Sequence, residues 1–307
     1  MARMDKVSKM KQGSRIALAS VLAAGLASTT AFADQEIDRT IDAADNGYIE
    51  IYNTSGEISI VGWSRSSVEI KGTLGEDVQE LIVERDGNEI LIKVKVPNRH
   101  HGDIESDLFI SVPEKSSIEV SGVSADIEVD GILGEQSLQT VSGDVETSTA
   151  EKDVEAATVS GDVEVTGSGK EADTEAATVS GDVVLKDLAG RVEAGSVSGD
   201  VEILGGSFSE AGLESVNGDL VFRAELQDGG ELSMESVNGT VDIEFSNEVS
   251  ARFDIETFNG SIRNCFGPNP ERTSRYSPGL ELSFTVGDGD SRVVVETLNG
   301  SVNICNQ

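Results

Sequence analysis

The chain reads as an all-β protein, a β-solenoid of about nine coils of roughly 19 residues in a single stack, with an antiparallel β cap at its N-terminal end. Three observations predict this. A six-residue phrase recurs nine times, its copies keep a near-constant spacing, and β-branched residues alternate around each copy. A fixed period of this length marks units that cannot bury an apolar face alone and must stack on their neighbours. Helical repeats need about 33 residues or more per unit. Runs such as Val163, Val165 and Val241, Ile243, Phe245 around a glycine therefore read as strand, turn, strand.

Residues 1–33 read as an export signal outside the fold. Arg3, Lys6, Lys9, Lys11 and Arg15 form a basic stretch, Ile16 to Leu26 is a short apolar run, and Ala31-Phe32-Ala33 fits a cleavage site before Asp34. The apolar run is too short to span a bilayer, and no later stretch approaches ~20 apolar residues. The expected product is exported to the periplasm, the cell surface or the medium, and does not span the membrane.

Residues 34–112 are assigned to the cap. Tyr48-Tyr52, Glu57-Val61, Val68-Gly72, Leu81-Glu84, Glu89-Val96 and Asp107-Val112 read as short strands, and Asn53-Thr54-Ser55-Gly56-Glu57-Ile58 as a vestigial copy of the phrase. A cap is expected because a bare solenoid end exposes unpaired strand edges.

Residues 113–307 are assigned to the solenoid. The phrase is TVSGDV from Thr140, Thr158 and Thr178, SVSGDV from Ser196, SVNGDL from Ser215, SVNGTV from Ser236, TFNGSI from Thr257 and TLNGSV from Thr297, after a degenerate copy at Val123-Ile127. Ala125 and the glycines at 143, 161, 181, 199, 218, 239 and 260 are spaced by 18, 18, 20, 18, 19, 21 and 21 residues, and Gly300 follows after 40. Stacking turns equivalent residues into columns. Glycine permits a positive φ or tight bend at the corner. Ser142, Ser160, Ser180 and Ser198, then Asn217, Asn238, Asn259 and Asn299, are expected as an internal ladder. Asp126, Asp144, Asp162, Asp182, Asp200 and Asp219 point outward if Val145, Val163, Val183, Val201 and Leu220 point in. For Val141, Val159, Val179, Val197, Val216, Val237, Phe258 and Leu298, strict alternation predicts an exposed apolar stripe, whereas a bend at the corner buries them. Burial is the preferred reading, because corners often break alternation.

Residues 268–290, rich in proline and glycine around Leu280-Val286, read as an inserted loop and extra strand. Cys265 and Cys305 each lie five residues after a motif glycine. If the 40-residue interval is one coil with an insertion, the two stack at a Cα separation near 5 Å, within disulfide range, whereas two full coils would put them about 10 Å apart. The first case is preferred, and the bond clamps the C-terminal end.

The repeated VSGDV and VNGSV turns, the β-rich segment ending at Val112-Pro113, and the Gly/Asp stretch before Val293-Val302 resemble the exported bacterial "putative adhesin" family, a domain of unknown function. The resemblance covers about 34 to 307. It implies a β-solenoid in the envelope or at the surface, and it supplies no catalytic motif.

The chain carries a formal net charge of −33, which becomes −37 once the leader's five basic residues and one aspartate are removed. Such a charge argues against nucleic acid and anionic membranes and favours cations or basic ligands, unless the source lives in salt. Catalytic candidates are few. His100 and His101, the only histidines, lie in a loop with Asp103, which more commonly means a solvated turn than a metal site. The Asp column, with Glu128, Glu146, Glu164 and Glu202 two residues on, is the best chemical feature. Neighbouring rungs could share calcium, but a solvated acidic face is the preferred reading and no cofactor is expected. The function expected is a non-enzymatic binding or structural module presenting this acidic column to an envelope protein, a polysaccharide or its own copies. The alternative is a carbohydrate-active lyase or hydrolase on a β-helix, which would need a groove with sugar-stacking aromatics.

Overall fold

Every copy of the phrase marks a sharp corner between two strands. In the Gly161 coil, Val154–Ala157 enters the corner and Val163–Thr166 leaves it. Entering strands stack in parallel as one face, the approach face, with Val154 opposite Gln136 and Thr174. Leaving strands stack as the exit face, with Val163 opposite Val145 and Val183. The computed structural model describes residues 35–99, 102–274 and 278–306. Among them no helix is long and apolar enough to cross a membrane, and the regular elements are strands. Residues 1–33, read above as an export signal, and the pair His100-His101 lie outside the described residues.

Alternation builds the core. The approach face turns Leu138, Ala156, Ala176, Ala194, Leu213 and Met234 inward, and the exit face Val145, Val163, Val183, Val201, Leu220 and Val241. Both sets belong to one continuous cluster. Small residues dominate the middle coils. Toward the C-terminal end the filling becomes aromatic, as Phe208, Phe222, Phe245 and Phe253 follow one another at ring-centroid distances of 6.0, 5.9 and 6.0 Å.

Stacking order departs from chain order at that end. Ser291–Asn299 pairs in parallel with both Leu220–Asn238 and Ala251–Asn259, and Val302–Asn306 with both Val241–Phe245 and Ile262–Asn264. The Gly300 coil, last in the chain, is thus inserted between the Gly239 and Gly260 coils. The inserted segment supplies Leu280–Thr285, which pairs antiparallel with Ala251–Asn259 on that strand's otherwise open edge. Glu271–Arg272 adds a short antiparallel pair beyond it.

At the other end, Tyr48–Trp63 pairs in parallel with Ser117–Asp130 and sets Gly56 opposite Ala125. The copy read as vestigial is a complete corner in register. Gln35–Asp42, Ser67–Leu74 and Ser106–Pro113 form successive antiparallel pairs, as do Glu80–Asp86 and Glu89–Lys95. Glu89–Lys95 and Ser106–Pro113 then join Tyr48–Trp63 in parallel. Pairing here is mixed rather than wholly antiparallel, because the chain already makes a coil at Gly56.

Two expectations at the corner are corrected. The column of Val141, Val159, Val179, Val197, Val216, Val237, Leu298 and Phe258 is exposed, not buried, at 38% to 52%. Alternation holds through Thr140 inward and Val141 outward, and the chain bends only after that point. The Ser and Asn column that follows is exposed too. Its amides do form a ladder, Asn238 Nδ2 donating to Asn217 Oδ1 at 3.0 Å and Asn299 Nδ2 to Asn238 Oδ1 at 3.0 Å, but on the surface.

Candidate binding surface

Three interactions set the geometry of the corners from Gly143 to Gly218, and the first of them continues through Gly239, Gly300 and Gly260, where Ser236 and Thr297 lack the hydroxyl bond and Thr240, Ser261 and Ser301 replace the aspartate. First, the motif glycine packs against the carbonyl of the preceding coil's glycine: a Cβ on Gly161 would lie 2.1 Å from the Gly143 oxygen, and one on Gly199 1.8 Å from the Gly181 oxygen. Glycine is required by this close approach more generally than by positive φ, which the described glycines Gly143, Gly161 and Gly199 do not show. Second, the buried hydroxyl opening the phrase donates to that same carbonyl. Thr158 Oγ1 reaches Gly143 O at 3.0 Å and Thr178 Oγ1 reaches Gly161 O at 3.0 Å. Third, each motif Asp carboxylate accepts the backbone N–H of the next rung, from Asp144 N on Asp126 Oδ1 at 3.0 Å to Thr240 N on Asp219 Oδ1 at 2.6 Å.

The corner thus carries two outward columns. On its exit side stand Asp126, Asp144, Asp162, Asp182, Asp200 and Asp219, with Asp200 half-buried and the others exposed. One oxygen of each is turned along the stack to a backbone donor, and the other remains outward. On the approach side stands the apolar column, whose members Val216, Val237, Leu298 and Phe258 are flanked two residues earlier by Glu214, Glu235, Glu296 and Glu256, all exposed.

The approach face is hollowed. One groove of about 640 Å³ is lined by Val197, Val216, Val237, Leu298 and Phe258 with the four glutamates. A second, of about 490 Å³, continues from it over Ala177, Gly195 and Gly212, sharing Glu214. A third, of about 500 Å³, shares Glu175 and Glu193 with the second and ends at Tyr48. Small residues make the hollow. Ala177 and Gly195 face outward in the column that continues as Glu214 and Glu235, and Gly212 lies between Glu193 and Ser233, while Ala176 and Ala194 fill the core behind them.

Acidic groups outnumber basic ones along this trough. Arg191, its basic lining residue, is engaged by Glu210 at 2.8 Å, and that hydrogen bond raises the guanidinium pKa. At the far end Tyr48 donates to Glu119, and this hydrogen bond, followed by burial, pushes the phenol well above its ordinary value. Carboxylates about 5 Å apart on adjacent rungs reinforce one another's field and attract counter-charge.

Glu128, Glu146, Glu164 and Glu202 lie outward on the exit face, away from the trough, with Glu128 opposite Glu146 and Glu146 opposite Glu164. Glu164 is bonded to Lys186. Among the described residues, no group of three or more His, Cys, Asp or Glu is arranged to hold a metal ion. Cys265 and Cys305 are disulfide-bonded at a Cα separation of 5.0 Å, on the Gly260 and Gly300 coils. Sequence reasoning missed the Glu214–Glu256 column. Its signal was the recurrence of Glu two residues before the last four apolar column positions, as in Glu235-Ser236-Val237 and Glu296-Thr297-Leu298, which by strand parity places both on one face.

A family model described as Toastrack DUF4097 matches residues 48–305. Among solved structures, a "putative adhesin" from Parabacteroides merdae is 9% identical, with 88% of this chain and 96% of that chain covered and a TM-score of 0.45. A "putative adhesin" from Bacteroides fragilis is 12% identical over 88% of this chain and 97% of that chain, with a TM-score of 0.42. A "putative lipid binding protein" from Parabacteroides distasonis is also 12% identical over the same shares, with a TM-score of 0.41. No curated protein matches the chain.

Proposed function

We propose that this chain, which belongs to the Toastrack DUF4097 family, is an exported, non-enzymatic binding module of the cell envelope that makes contact through the outward approach face. The observation that carries this reading is the unbroken apolar column, flanked over its last four rungs by an acidic one. Exposed apolar side chains scattered singly are ordinary, but eight stacked in one line, five of them lining a groove, form a continuous patch of the kind that marks interaction surfaces. The Asp126–Asp219 column forms the second acidic border of this surface. It contributes long-range attraction for a cationic partner while its inner oxygens hold the stack together. Export is supported by the basic and apolar leader of residues 1–33 and by the Cys265–Cys305 bond, which an oxidising compartment permits.

The test is site-specific photo-crosslinking in intact source cells, with the reactive side chain placed at Val216 or Val237 on the approach face and at Glu202 on the exit face. The reading expects a defined envelope component attached from the first two positions and not from the third. Equal capture from all three, or none from Val216 and Val237, overturns it.

A further inference from the structure

We infer that the trough between the Glu214–Glu256 and Val197–Phe258 columns docks a cationic amphipathic α-helix of about three to four turns. The inference rests on the approach face being the contact surface and names what that surface holds. Three features of the site specify the occupant.

The first is charge. Glu214, Glu235, Glu296 and Glu256 occupy four consecutive rungs on the groove's inner side, and the described residues lining this groove include no basic side chain. An anionic lipid surface or a second copy of this chain, itself at −33, would place like charge against like. The occupant carries Lys or Arg.

The second is that the groove offers two stripes side by side. The carboxylate and apolar columns are two residues apart on each strand, or about 6.6 Å at ~3.3 Å per residue. An extended peptide laid along the stack presents a single row of side chains to the surface. A helix presents an apolar stripe with a polar stripe adjoining it on the same side.

The third is the repeat along the axis. Rungs recur every ~4.8 Å, and helical turns every ~5.4 Å. Over four rungs the two drift by about 2 Å, within reach of flexible Glu and Lys or Arg side chains. A strand repeats same-side residues at about 6.8 Å and loses register at every rung. The five apolar rungs Val197, Val216, Val237, Leu298 and Phe258 span about 19 Å, the length of ~13 helical residues. The floor of Ala177 and Gly195 beside the first rung leaves room for the helix backbone to approach. The stacking order matters here: insertion of the Gly300 coil puts Glu296 and Leu298 between the neighbouring Glu–apolar pairs and makes the two stripes continuous.

The probe is a fluorescently labelled 14-residue Leu/Lys peptide with leucines at helical spacing, titrated by anisotropy into the mature protein, with circular dichroism of the peptide followed on binding. A scrambled peptide of the same composition is the comparison. The inference expects saturable 1:1 binding with a gain of helix, and much weaker binding of the scrambled peptide. It expects a loss of about tenfold or more in affinity for V216S/V237S/L298S and for E214Q/E235Q/E296Q. Removing the same number of charges from the exit face, in E128Q/E146Q/E202Q, should change affinity by less than about threefold. A photoreactive version of the peptide on the unmodified protein should label residues between Glu214 and Phe258.

Equal binding of the scrambled peptide, wild-type affinity in either groove variant, or labelling of the exit face each overturn the inference. Loss of peptide binding alongside positive in-cell crosslinks at Val216 would reject this occupant while keeping the contact surface. Loss of both would remove the surface itself.

Discussion

The Oδ1 atom of Asp144 accepts the backbone N–H of Asp162 at 2.9 Å, although the two residues are 18 apart in sequence and both side chains are exposed. The same bond joins Asp162 to Asp182 at 2.8 Å and Asp182 to Asp200 at 2.8 Å. At the corner the strand ladder turns, and the carboxylate supplies the acceptor that the backbone cannot. Asparagine preserves this acceptor and alanine removes it. Replacing Asp144, Asp162 and Asp182 together by Ala should therefore lower stability by roughly 0.5 to 1 kcal/mol per rung, the low end for a hydrogen bond because the groups are exposed. The same triple change to Asn should fall well short of that loss and relieve like-charge repulsion. Urea melts of both triples are the check, and equal stability would show that the ladder bond contributes nothing.

Gly199 and Gly195 make a sharper pair. A Cβ at Gly199 would meet the Gly181 carbonyl oxygen at 1.8 Å, whereas one at Gly195 finds nothing closer than 3.8 Å. Gly199→Ala should cost several kcal/mol, in the range reserved for forced steric overlap. Gly195→Ala should be neutral or stabilise by about 0.5 to 1 kcal/mol, because glycine weakens a strand interior. Thermal denaturation that ranked the two alike would remove close stacking as the reason for the motif glycine.

Much of this architecture was legible in the sequence, and the parts that were not share a cause. The period located the corners, and two-residue alternation placed Val145, Val163 and Val183 inside. The equal offset of Cys265 and Cys305 from their glycines pointed to adjacent coils. Motif spacing, however, reports where a coil occurs in the chain and not where it lies in the stack, so the insertion of the Gly300 coil ahead of the Gly260 coil was hidden. The apolar column was misread because the corner was expected to break alternation ahead of Val141, whereas the chain bends only after it. The Asp column's bond to the next rung was invisible because it depends on the stacked backbone, and nothing in Gly-Asp-Val itself distinguishes a carboxylate turned along the stack from one turned to solvent.

The Cys265–Cys305 bond closes a 40-residue interval and ties together the two coils whose order is exchanged. The chain-entropy argument for a loop of that length gives roughly 3 to 4 kcal/mol of stabilisation. The double change to serine should lower the denaturation midpoint accordingly, and proteolysis under native conditions should begin between 266 and 290, where the inserted segment loses its anchor. A double-serine protein that melted and resisted protease like the parent would show that the antiparallel strand Leu280–Thr285 holds this end unaided.

Tyr48 provides a pH-dependent test of the trough's far end. Its hydroxyl donates to Glu119, and that bond, reinforced by burial and by the charges of Glu119 and Glu50, raises the phenol pKa above the ordinary ~10. The folded chain then keeps this proton where the unfolded chain gives it up. The contribution is therefore fully present below about pH 10 and is lost as pH rises from there toward the folded value. Tyr52 is raised as well, chiefly by burial, and stays the same in both proteins compared. Stability measured from pH 9 to 12 should fall more steeply in the parent than in Tyr48→Phe, and absorbance at about 295 nm should show one late-titrating phenol missing from the variant. Parallel stability curves would mean that Tyr48 and Glu119 are not bonded in solution.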